Sequence, residues 1–357
     1  MRIAIRADAS VEIGSGHVAR CASLAVQLRE AGHEIAFLCR ELAGNLAYML
    51  EADGFLVHRL DGATCEWTEE DDARRCCDVI GAAHQDWLIV DHYSLGARWE
   101  RAMAARADRI LAIDDLGREH HCHLLLDQNY PNPSHERYRH GTPADCDCLL
   151  GPRHALLRPD FAARRTASIT RPRERIARAL VFMGGSDPRD ETSIALRGIA
   201  MMGRQPAVDV VIGTANPHRD AVAAACATLA DATLHVQTRE MAALMARADC
   251  ALGAPGGATW ERCTLGLPAI VTILAENQAA IGTAVDAAGA HRLLGRHGEV
   301  SAEDYADALC GLDADALRRM SQAAAAICDG TGAQKVAARL EDIARCSAAD
   351  APQRRYA

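Results

Sequence analysis

The sequence predicts an α/β protein built from two doubly wound parallel sheets. Strand-like apolar runs alternate with helix-periodic segments through the first half, and a second alternation of the same kind begins at Ala179. Strands and helices that alternate at this spacing form parallel sheets covered by helices on both faces. The 357 residues suffice for two such domains, since one domain takes roughly 100–200 residues.

The first half predicts six strands and four helices. Glycines at the ends of two of the helices, Gly32 and Gly54, are typical of helix termination. The proline-broken, arginine-rich stretch 152–175 is interpreted as the crossing between domains, which gives a first domain of residues 1–160. The predicted strands are 2–6, 34–39, 55–60, 87–91, 109–113 and 124–126, and the helices are 18–30, 42–52, 71–82 and 98–105.

The second half predicts a domain at 161–335, followed by a C-terminal helix and tail at 336–357. The polar stretch 347–357 is expected to be disordered. The predicted strands are 179–183, 208–212, 233–236, 250–252 and 269–273, and the helices are 191–202, 218–229, 241–246, 259–265, 277–287, 302–309, 314–327 and 333–345.

Composition excludes some classes of partner. The formal charge is −9, which argues against nucleic acid because such proteins need a basic footprint. No apolar leader opens the sequence and no run reaches the ~18 residues of a membrane helix, so we expect a cytoplasmic protein without a membrane partner and with its 14 cysteines reduced. The clusters 120–123 and 146–148 lack zinc-site spacing. We therefore expect no metal, no cofactor and no obligate protein partner.

The turn Gly14-Ser15-Gly16-His17 joins the first predicted strand to the first helix. Glycines here let the backbone pass where a Cβ would clash, and they leave helical N–H groups free to face an anion. His17 stands at the helix start, where a neutral imidazole can take a proton from water. The helix dipole disfavours added positive charge there. The sequence leaves two interpretations open, a catalytic base or a residue that only caps the turn.

Polar side chains follow two predicted strands of the first half. Asp91 and Tyr93 follow the fourth strand, and the pair Asp114-Asp115 follows the fifth. Asp91 and Tyr93 together could line a sugar pocket, because ligands of doubly wound sheets bind beyond the carboxyl ends of the strands. Alternatively, the aspartates cap the turns that follow.

A second glycine-rich turn, at 253–257, ends a predicted strand and opens a helix. Exposed N–H groups of Gly256 and Gly257 would suit a diphosphate. Glu261, on the first turn of that helix, could accept both hydroxyls of a ribose, or it could serve only as favourable charge at the helix start.

Two weaker signals lie in the same half. Gly184 and Gly185 form another candidate phosphate or hinge loop. Asn277 could hydrogen-bond a sugar or a phosphate, or it could be a helix N-cap.

Six motifs in chain order carry a family resemblance: Gly14-Ser15-Gly16-His17-Val18-x-Arg20, Ile89-Val90-Asp91-x-Tyr93, Asp127-Gln128-Asn129, Leu150-Gly151-Pro152-x-x-Ala155-Leu156-Leu157-Arg158, Gly184-Gly185-Ser186-Asp187 and Gly256-Gly257-x-x-Trp260-Glu261. Together they resemble the UDP-2,4-diacetamido-2,4,6-trideoxy-β-L-altropyranose hydrolases of pseudaminic acid biosynthesis. The resemblance covers about residues 1–290. That family is similar to GT-B glycosyltransferases of the MurG type, which implies two Rossmann-like domains with a cleft between them.

The resemblance implies roles for individual residues. His17 is the implied general base, Asp8 and Arg20 line the same cleft, and Tyr93 lies near the sugar. Gly256 and Gly257 approach the diphosphate, Glu261 holds the ribose, and Asn277 faces the substrate. The expected substrate-binding residues combine those implied by the resemblance with those inferred above from the glycine turns and strand ends. They are Asp8, Gly16, Arg20, Asp91, Tyr93, Gly184, Gly185, Gly256, Gly257, Glu261 and Asn277.

The expected reaction is a single inverting displacement. Water activated by His17 would attack the anomeric carbon, and UDP would leave without help from a metal. Two other functions stay open at this point: a GT-B glycosyltransferase that uses a UDP-sugar donor and a separate acceptor, and a non-catalytic nucleotide-sugar binding module. The identity of the sugar rests on the resemblance alone.

Overall fold

The computed structural model describes residues 1–61, 67–129 and 135–350. The chain divides into two compact units: unit 1 comprises Met1–Arg158 and Thr331–Ala357, and unit 2 comprises Pro159–Gly330. Each unit contains one parallel sheet packed against helices. The predicted fold class, two parallel-sheet α/β domains, is confirmed.

The sheet of unit 1 has seven strands: β1 (Arg2–Ala7), β2 (Glu34–Arg40), β3 (Leu56–Leu60), β4 (Gln85–Asp91), β5 (Ala107–Ile113), β6 (Leu124–Asp127) and β7 (Asp147–Leu150). Their spatial order is β3-β2-β1-β4-β5-β6-β7. The order changes direction between β1 and β4, which pair in parallel with Ala7 opposite Asp91. The loops that follow these two strands therefore lie side by side, at the point where sheets of this kind bind ligands.

Both faces of this sheet are buried, as a parallel sheet requires. Side chains alternate along a strand, so Ile3 and Ile5 of β1 join one apolar cluster while Ala4 joins the other. The helices of unit 1 are α1 (Gly16–Glu30), α2 (Ala47–Ala52), α3 (Glu69–Ile80), α4 (Ala97–Met103), α5 (His135–Tyr138) and, at the C-terminus, α14 (Gly332–Asp350). Helix α14 buries Val336 and Leu340 in the same cluster as Leu24 of α1.

The sheet of unit 2 has six strands: β8 (Arg178–Phe182), β9 (Ala207–Ile212), β10 (Ala232–Val236), β11 (Cys250–Gly253), β12 (Ala269–Ile273) and β13 (Arg292–Arg296). Their order is β10-β9-β8-β11-β12-β13. The direction changes between β8 and β11, where Phe182 pairs with Gly253. The two glycine turns predicted from the sequence follow these two neighbouring strands.

Eight helices belong to unit 2 within its described residues: α6 (Pro159–Thr170), α7 (Glu191–Ala200), α8 (Arg219–Cys226), α9 (Met241–Arg247), α10 (Ala258–Thr264), α11 (Ala279–Ala287), α12 (Ala302–Cys310) and α13 (Ala314–Ile327). Short 3₁₀ turns occur at Pro152–His154 and Glu276–Gln278.

Helix α6 falls inside the stretch that we interpreted as a crossing between domains. That interpretation is wrong for Pro159–Thr170, because the arginines that suggested an exposed linker have structural partners. Arg165 donates to the main-chain oxygens of Thr264, Ala325 and Cys328. These carbonyl groups lie at or near the C-terminal ends of α10 and α13. Carbonyl groups in the last turn of a helix have no hydrogen-bond partner within that helix.

Of the four edge strands, β3 and β10 were predicted from the sequence, and β7 and β13 were not. Each of the last two contains only two large apolar residues, and neither strand contains a buried residue. Edge strands are commonly short and polar because this discourages pairing with other chains, and the same composition removes the apolar signal on which prediction depends.

The predicted disorder of 347–357 is wrong for 347–350, since α14 continues to Asp350. The segment contains helix-favouring alanines, and the first helix breaker is Pro352. Residues 351–357 lie outside the described part of the chain. Within the described residues, no helix is long and apolar enough to cross a membrane.

The buried His120 makes the stability of unit 1 depend on pH. Its Nδ1 lies 2.7 Å from Oε1 of Glu100, and its Nε2 lies 3.6 Å from Oδ2 of Asp114. Burial would lower the pKa of His120, but these two carboxylates outweigh it and raise the pKa from 6.5 to about 9. The stabilisation is therefore fully present below about pH 6.5 and is lost as the pH rises through about 9.

We predict that His120→Gln lowers the free energy of unfolding near pH 6 by about 2–3 kcal/mol. The difference from the wild type should shrink as the pH rises above about 6.5 and should be lost once it passes about 9. Urea denaturation across this pH range measures it. His84→Gln, which breaks an exposed pair with Asp108, should show little difference at any pH. A His120 deficit independent of pH would contradict the assignment of a charged imidazole.

Candidate functional site

The carboxyl edge of the unit 1 sheet holds a buried histidine–aspartate pair. His17 is the second residue of α1 and is 5% exposed, and Asp91 is the last residue of β4 and is 0% exposed. The Nδ1 atom of His17 lies 2.6 Å from Oδ1 of Asp91. The two meet because α1 follows β1, and β1 pairs directly with β4.

Arg20 binds the same carboxylate with both arms of its guanidinium group. It lies three residues beyond His17 on the same helix face, and its Nε and Nη2 each donate to an oxygen of Asp91 at 2.6 Å. Burial alone would raise the pKa of Asp91, but the charge of Arg20 and the contacts with Arg20 and His17 outweigh it and hold that pKa well below its usual range. Asp91 is therefore an ionised acceptor.

The charge on Asp91 decides which nitrogen of His17 carries the proton. An ionised carboxylate only accepts hydrogen bonds, so Nδ1 of His17 carries the hydrogen that Asp91 accepts. The opposite nitrogen, Nε2, has no hydrogen-bond partner among the described residues and is not one of their fully buried polar atoms. A neutral His17 thus presents a lone pair on Nε2, as a general base does.

A second carboxylate lies beside this pair. Tyr93 places its ring edge against the His17 ring, with centroids 4.6 Å apart, and its hydroxyl donates to Oδ2 of Asp115 at 3.3 Å. Asn129 donates to the same oxygen at 3.1 Å, and Nη1 of Arg20 lies 3.9 Å from it. The loops after β4, β5 and β6 therefore converge on one polar cluster beside His17.

The sequence analysis treated Asp114 and Asp115 alike, as turn caps or as candidates. The structure separates them. Oδ2 of Asp114 accepts from the N–H groups of three successive residues, 116 to 118, so this residue caps the turn. Asp115 instead faces Tyr93, Asn129 and Arg20. Strand alternation turns the two side chains to different surroundings, and no short motif signals which one joins the site.

Two expected substrate-binding residues lie in different surroundings from those we predicted. Asp91 has no exposed surface and holds His17 and Arg20, so it does not line a sugar pocket. Asp8 is also 0% exposed, and it accepts two bonds from Arg6, at 2.5 and 2.9 Å, and one from the N–H of Arg40. Burial would raise the pKa of Asp8, but the charge of Arg6 and its other contacts hold it well below the usual range.

The position of Asp8 follows from alternation along β1. Ile3 and Ile5 face the cluster that contains α1, so Arg6 and Asp8 face the opposite side, where Asp72 of α3 completes the ion cluster. The expectation that Asp8 lines the site with Arg20 is therefore corrected. Gly16, in contrast, begins α1 beside His17, and a Cβ there would meet open space.

The glycine loop after β11 is shaped by close contacts on one side and by open space on the other. A Cβ at Gly253 would lie 2.9 Å from Nη1 of Arg262 and 2.9 Å from the carbonyl oxygen of Phe182. A Cβ at Gly257 would meet nothing within 4 Å. Within the described residues, the N–H groups of Gly256 and Gly257 have no hydrogen-bond partner. The loop therefore presents unpaired donors beside free space.

A buried cation, which the sequence analysis missed, supports this loop. Arg262 of α10 is 3% exposed, and its Nη2 donates to the carbonyl oxygen of Ala254 and to the hydroxyl of Thr259, each at 3.0 Å. Burial lowers its pKa, and the charge of the neighbouring Glu261 opposes that shift. A buried positive charge next to exposed N–H groups favours an anion. A single arginine within a helix gives no sign in the sequence that it supports an anion site.

The loop after β8 lies at the same point of the sheet. Gly184 has φ of +104° and open space around it, a conformation that favours glycine. A Cβ at Gly213 would lie 2.6 Å from the carbonyl oxygen of Gly185, so the backbones approach closely there. Asp187 accepts from the N–H groups of Glu191 and Thr192 and so caps α7. The structure thus places Gly184 and Gly185 beside the loop that contains Gly256.

Glu261 and Asn277 flank the same loop. Glu261 is half-buried in the first turn of α10. Asn277 is exposed in the 3₁₀ turn Glu276–Gln278, and the cap of α11 is Gln278, so the alternative of Asn277 as N-cap is wrong. The amide nitrogen of Gln278 lies 3.6 Å from the position of a Cβ on Gly256, which places this turn beside the glycine loop. Among the described residues, no group of three or more His, Cys, Asp or Glu could hold a metal ion.

No protein-family model matches the chain. Two curated relatives show partial similarity. UDP-2,4-diacetamido-2,4,6-trideoxy-β-L-altropyranose hydrolase of Campylobacter jejuni is 25% identical over 220 residues, which cover 61% of this chain and 72% of that protein. Spore coat polysaccharide biosynthesis protein SpsG of Bacillus subtilis is 29% identical over 201 residues, which cover 54% of this chain and 58% of SpsG.

Solved structures match over nearly the whole chain. MurG of Acinetobacter baumannii superposes with a TM-score of 0.67 at 13% identity, covering 96% of this chain and 99% of MurG. The fold is of the GT-B type. UDP-GlcNAc 2-epimerase of Neisseria meningitidis, bound to UDP-GlcNAc, gives 0.63 at 12% identity, covering 96% of this chain and all (100%) of that one. At these identities the likeness establishes the fold alone.

The contacts of Asp91 predict the protonation pattern of His17. In protein labelled with ¹⁵N-histidine, neutral His17 should show a protonated Nδ1 and an unprotonated Nε2. Asp91→Asn should mix the two tautomers, because an amide cannot accept from Arg20 on both sides as the carboxylate does. Two-dimensional ¹H–¹⁵N spectra report the tautomer, with exposed His84 as the internal reference. A wild-type His17 protonated on Nε2 alone would contradict the arrangement.

Proposed function

We propose that the chain is a UDP-sugar hydrolase in which water attacks the anomeric carbon directly. The observation that carries the proposal is the buried pair of His17 and Asp91, which fixes the imidazole while Nε2 has no partner among the described residues. The pair lies at the switch point of the unit 1 sheet, where ligands of such folds bind. The similarity to the Campylobacter jejuni hydrolase supports the same activity.

In this mechanism His17 acts as the general base. Nε2 takes a proton from a water molecule while the water oxygen forms a bond to the anomeric carbon. The bond between that carbon and the diphosphate oxygen breaks, and its electron pair leaves with UDP. A single displacement inverts the anomeric centre. Asp91 keeps its charge throughout, because it stabilises the imidazolium and holds the ring in position without taking the proton.

Unit 2 is proposed to hold the UDP group. The unpaired N–H groups of Gly256 and Gly257 would donate to the diphosphate, and the buried charge of Arg262 would stabilise the negative charge that develops on the leaving oxygen. Glu261 would bind the ribose, and Gly184, Gly185 and Asn277 would lie around the same group. In unit 1, Gly16, Arg20 and Tyr93 would surround the sugar beside His17.

The proposed sugar is a 2,4-diacetamido-2,4,6-trideoxyhexose, which would place the chain in pseudaminic acid biosynthesis. The name of the Campylobacter jejuni relative supports this substrate. Incubation with UDP-2,4-diacetamido-2,4,6-trideoxy-β-L-altropyranose, followed by NMR, tests it. Release of UDP and free sugar with no acceptor present also separates a hydrolase from a glycosyltransferase or from a module that only binds.

Removing the proposed base should abolish turnover and spare binding. We predict that His17→Asn lowers kcat by about 10²–10⁴-fold, the usual range for general-base catalysis. UDP affinity should be unchanged, because UDP is proposed to bind unit 2. Initial rates and calorimetric titration with UDP measure the two effects. His84→Asn serves as the control, because His84 is exposed and pairs with the equally exposed Asp108. Near-normal turnover of His17→Asn would remove the base assignment.

A methyl group at Gly257 should block the diphosphate without disturbing the fold. The φ of Gly257 is −54°, which alanine adopts freely, and its Cβ would meet nothing in the protein. We predict that Gly257→Ala weakens UDP binding about tenfold, equivalent to about 1.4 kcal/mol. Its thermal midpoint should be unchanged or slightly raised.

Gly203→Ala is the matched control, since a Cβ there also meets open space and Gly203 lies in the loop after α7. It should leave UDP affinity at the wild-type value. Equal UDP affinity in Gly257→Ala and the wild type would show that the phosphates bind elsewhere.

A further inference from the structure

The carboxylate of Asp115 is satisfied on one side only. Oδ2 accepts from the Tyr93 hydroxyl and from the Asn129 amide, and it lies 3.9 Å from Nη1 of Arg20. Oδ1 is fully buried and has no hydrogen-bond partner in the part of the chain that the structure describes. The side chain as a whole is 14% exposed, so the carboxylate lies at the margin of the protein surface. One oxygen anchors the residue, and the other is left for a donor that the described residues do not provide.

An unpaired buried oxygen of this kind is unusual. Buried acceptors are nearly always paired, because a carboxylate oxygen without a donor loses its interaction with water and gains nothing in return. The local fold does not explain the exception. Asp114 already caps the turn that follows β5, so the turn itself does not require a charged residue at 115.

Asp115 is coupled to the proposed base through two neighbours. Tyr93 contacts the His17 ring with its own ring and binds Asp115 through its hydroxyl. Arg20 binds Asp91, the partner of His17, and reaches Asp115 with its remaining arm. The unpaired oxygen therefore belongs to the same cluster, at the carboxyl edge of the sheet, as the atom proposed to activate water.

We propose that Oδ1 of Asp115 accepts a hydrogen bond from an O–H or N–H group of the sugar whose anomeric carbon is attacked. This inference rests on the proposed function and adds a specificity-determining residue to it. An ionised carboxylate only accepts, so the position selects a sugar substituent that carries a hydrogen, such as a hydroxyl or an acetamido N–H. A substituent without a donor would leave the oxygen unpaired in the complex as well.

The test compares Asp115→Asn with the wild type and with Asp108→Asn. Tyr93 and Asn129 both donate to the Oδ2 side of residue 115, so the single acceptor oxygen of the amide faces them. Its NH2 group then faces the sugar donor, and that hydrogen bond is lost. Asp108 makes the matched control, because it lies on β5, the strand that precedes Asp115, and its side chain is about half exposed (51%). The probes are UDP-2,4-diacetamido-2,4,6-trideoxy-β-L-altropyranose and UDP alone.

We expect Asp115→Asn to raise the KM for the UDP-sugar about tenfold or more, with a smaller change in kcat. Its affinity for UDP, which lacks the sugar, should match the wild type. Asp108→Asn should change neither quantity. Analogues with a hydrogen atom in place of each acetamido or hydroxyl group identify the donor, since only loss of the recognised group should remove the difference between the two enzymes.

Two results would overturn the inference while leaving the proposed function intact. An unchanged KM would mean that water alone satisfies Oδ1. An equal loss of affinity for UDP and for the UDP-sugar would mean that Asp115 does not act on the sugar. If Asp115→Asn did not fold, Asp115→Glu, which keeps the charge and displaces it by one methylene, would give the same comparison.

Failure of the proposed function gives a different pattern. The wild type would then release no UDP from the sugar nucleotide. Calorimetric titration of both enzymes with the UDP-sugar and with UDP still tests Asp115 in that case. A sugar-dependent affinity difference between wild type and Asp115→Asn would support the inference, and its absence would reject it.

Discussion

The site in unit 1 depends on the shared carboxylate of Asp91. It accepts from Nδ1 of His17 and from two nitrogens of Arg20, all at 2.6 Å, in surroundings without solvent. A buried carboxylate is stable only when its oxygens are paired. Arg20 supplies the compensating charge, which leaves the imidazole free to orient through a single hydrogen bond. The side chain that keeps Asp91 ionised therefore also fixes the tautomer of His17.

Unit 2 uses the complementary arrangement. Its glycine loop exposes N–H groups, and the buried charge of Arg262 lies behind the loop. Burying a cation is costly, and an anionic ligand at the loop would offset that cost. Unit 1 thus surrounds a carboxylate whose oxygens are paired, and unit 2 presents a buried positive charge behind its exposed N–H groups.

The secondary structure was largely predictable because its signal is local. Central strands such as Ile3–Ala7 and Ala269–Ile273 are buried on both faces and therefore read as short apolar runs between helix-periodic segments. The edge strands β7 and β13 lacked that signal because none of their residues is buried. Helix α6 was missed because its arginines look solvated in sequence, whereas Arg165 binds carbonyl groups supplied from residues about 100–160 positions away.

The sequence by itself determined the two α/β domains, the position of His17 at a helix start and the glycine turns at strand ends, since each depends on residues adjacent in the chain. Only the tertiary structure decided the pairing of His17 with Asp91, which lie 74 residues apart. It also decided the burial of Asp8, the separate roles of Asp114 and Asp115, and the buried charge of Arg262. These properties depend on which face of a sheet a side chain occupies and on what packs against it, and strand order and register set both.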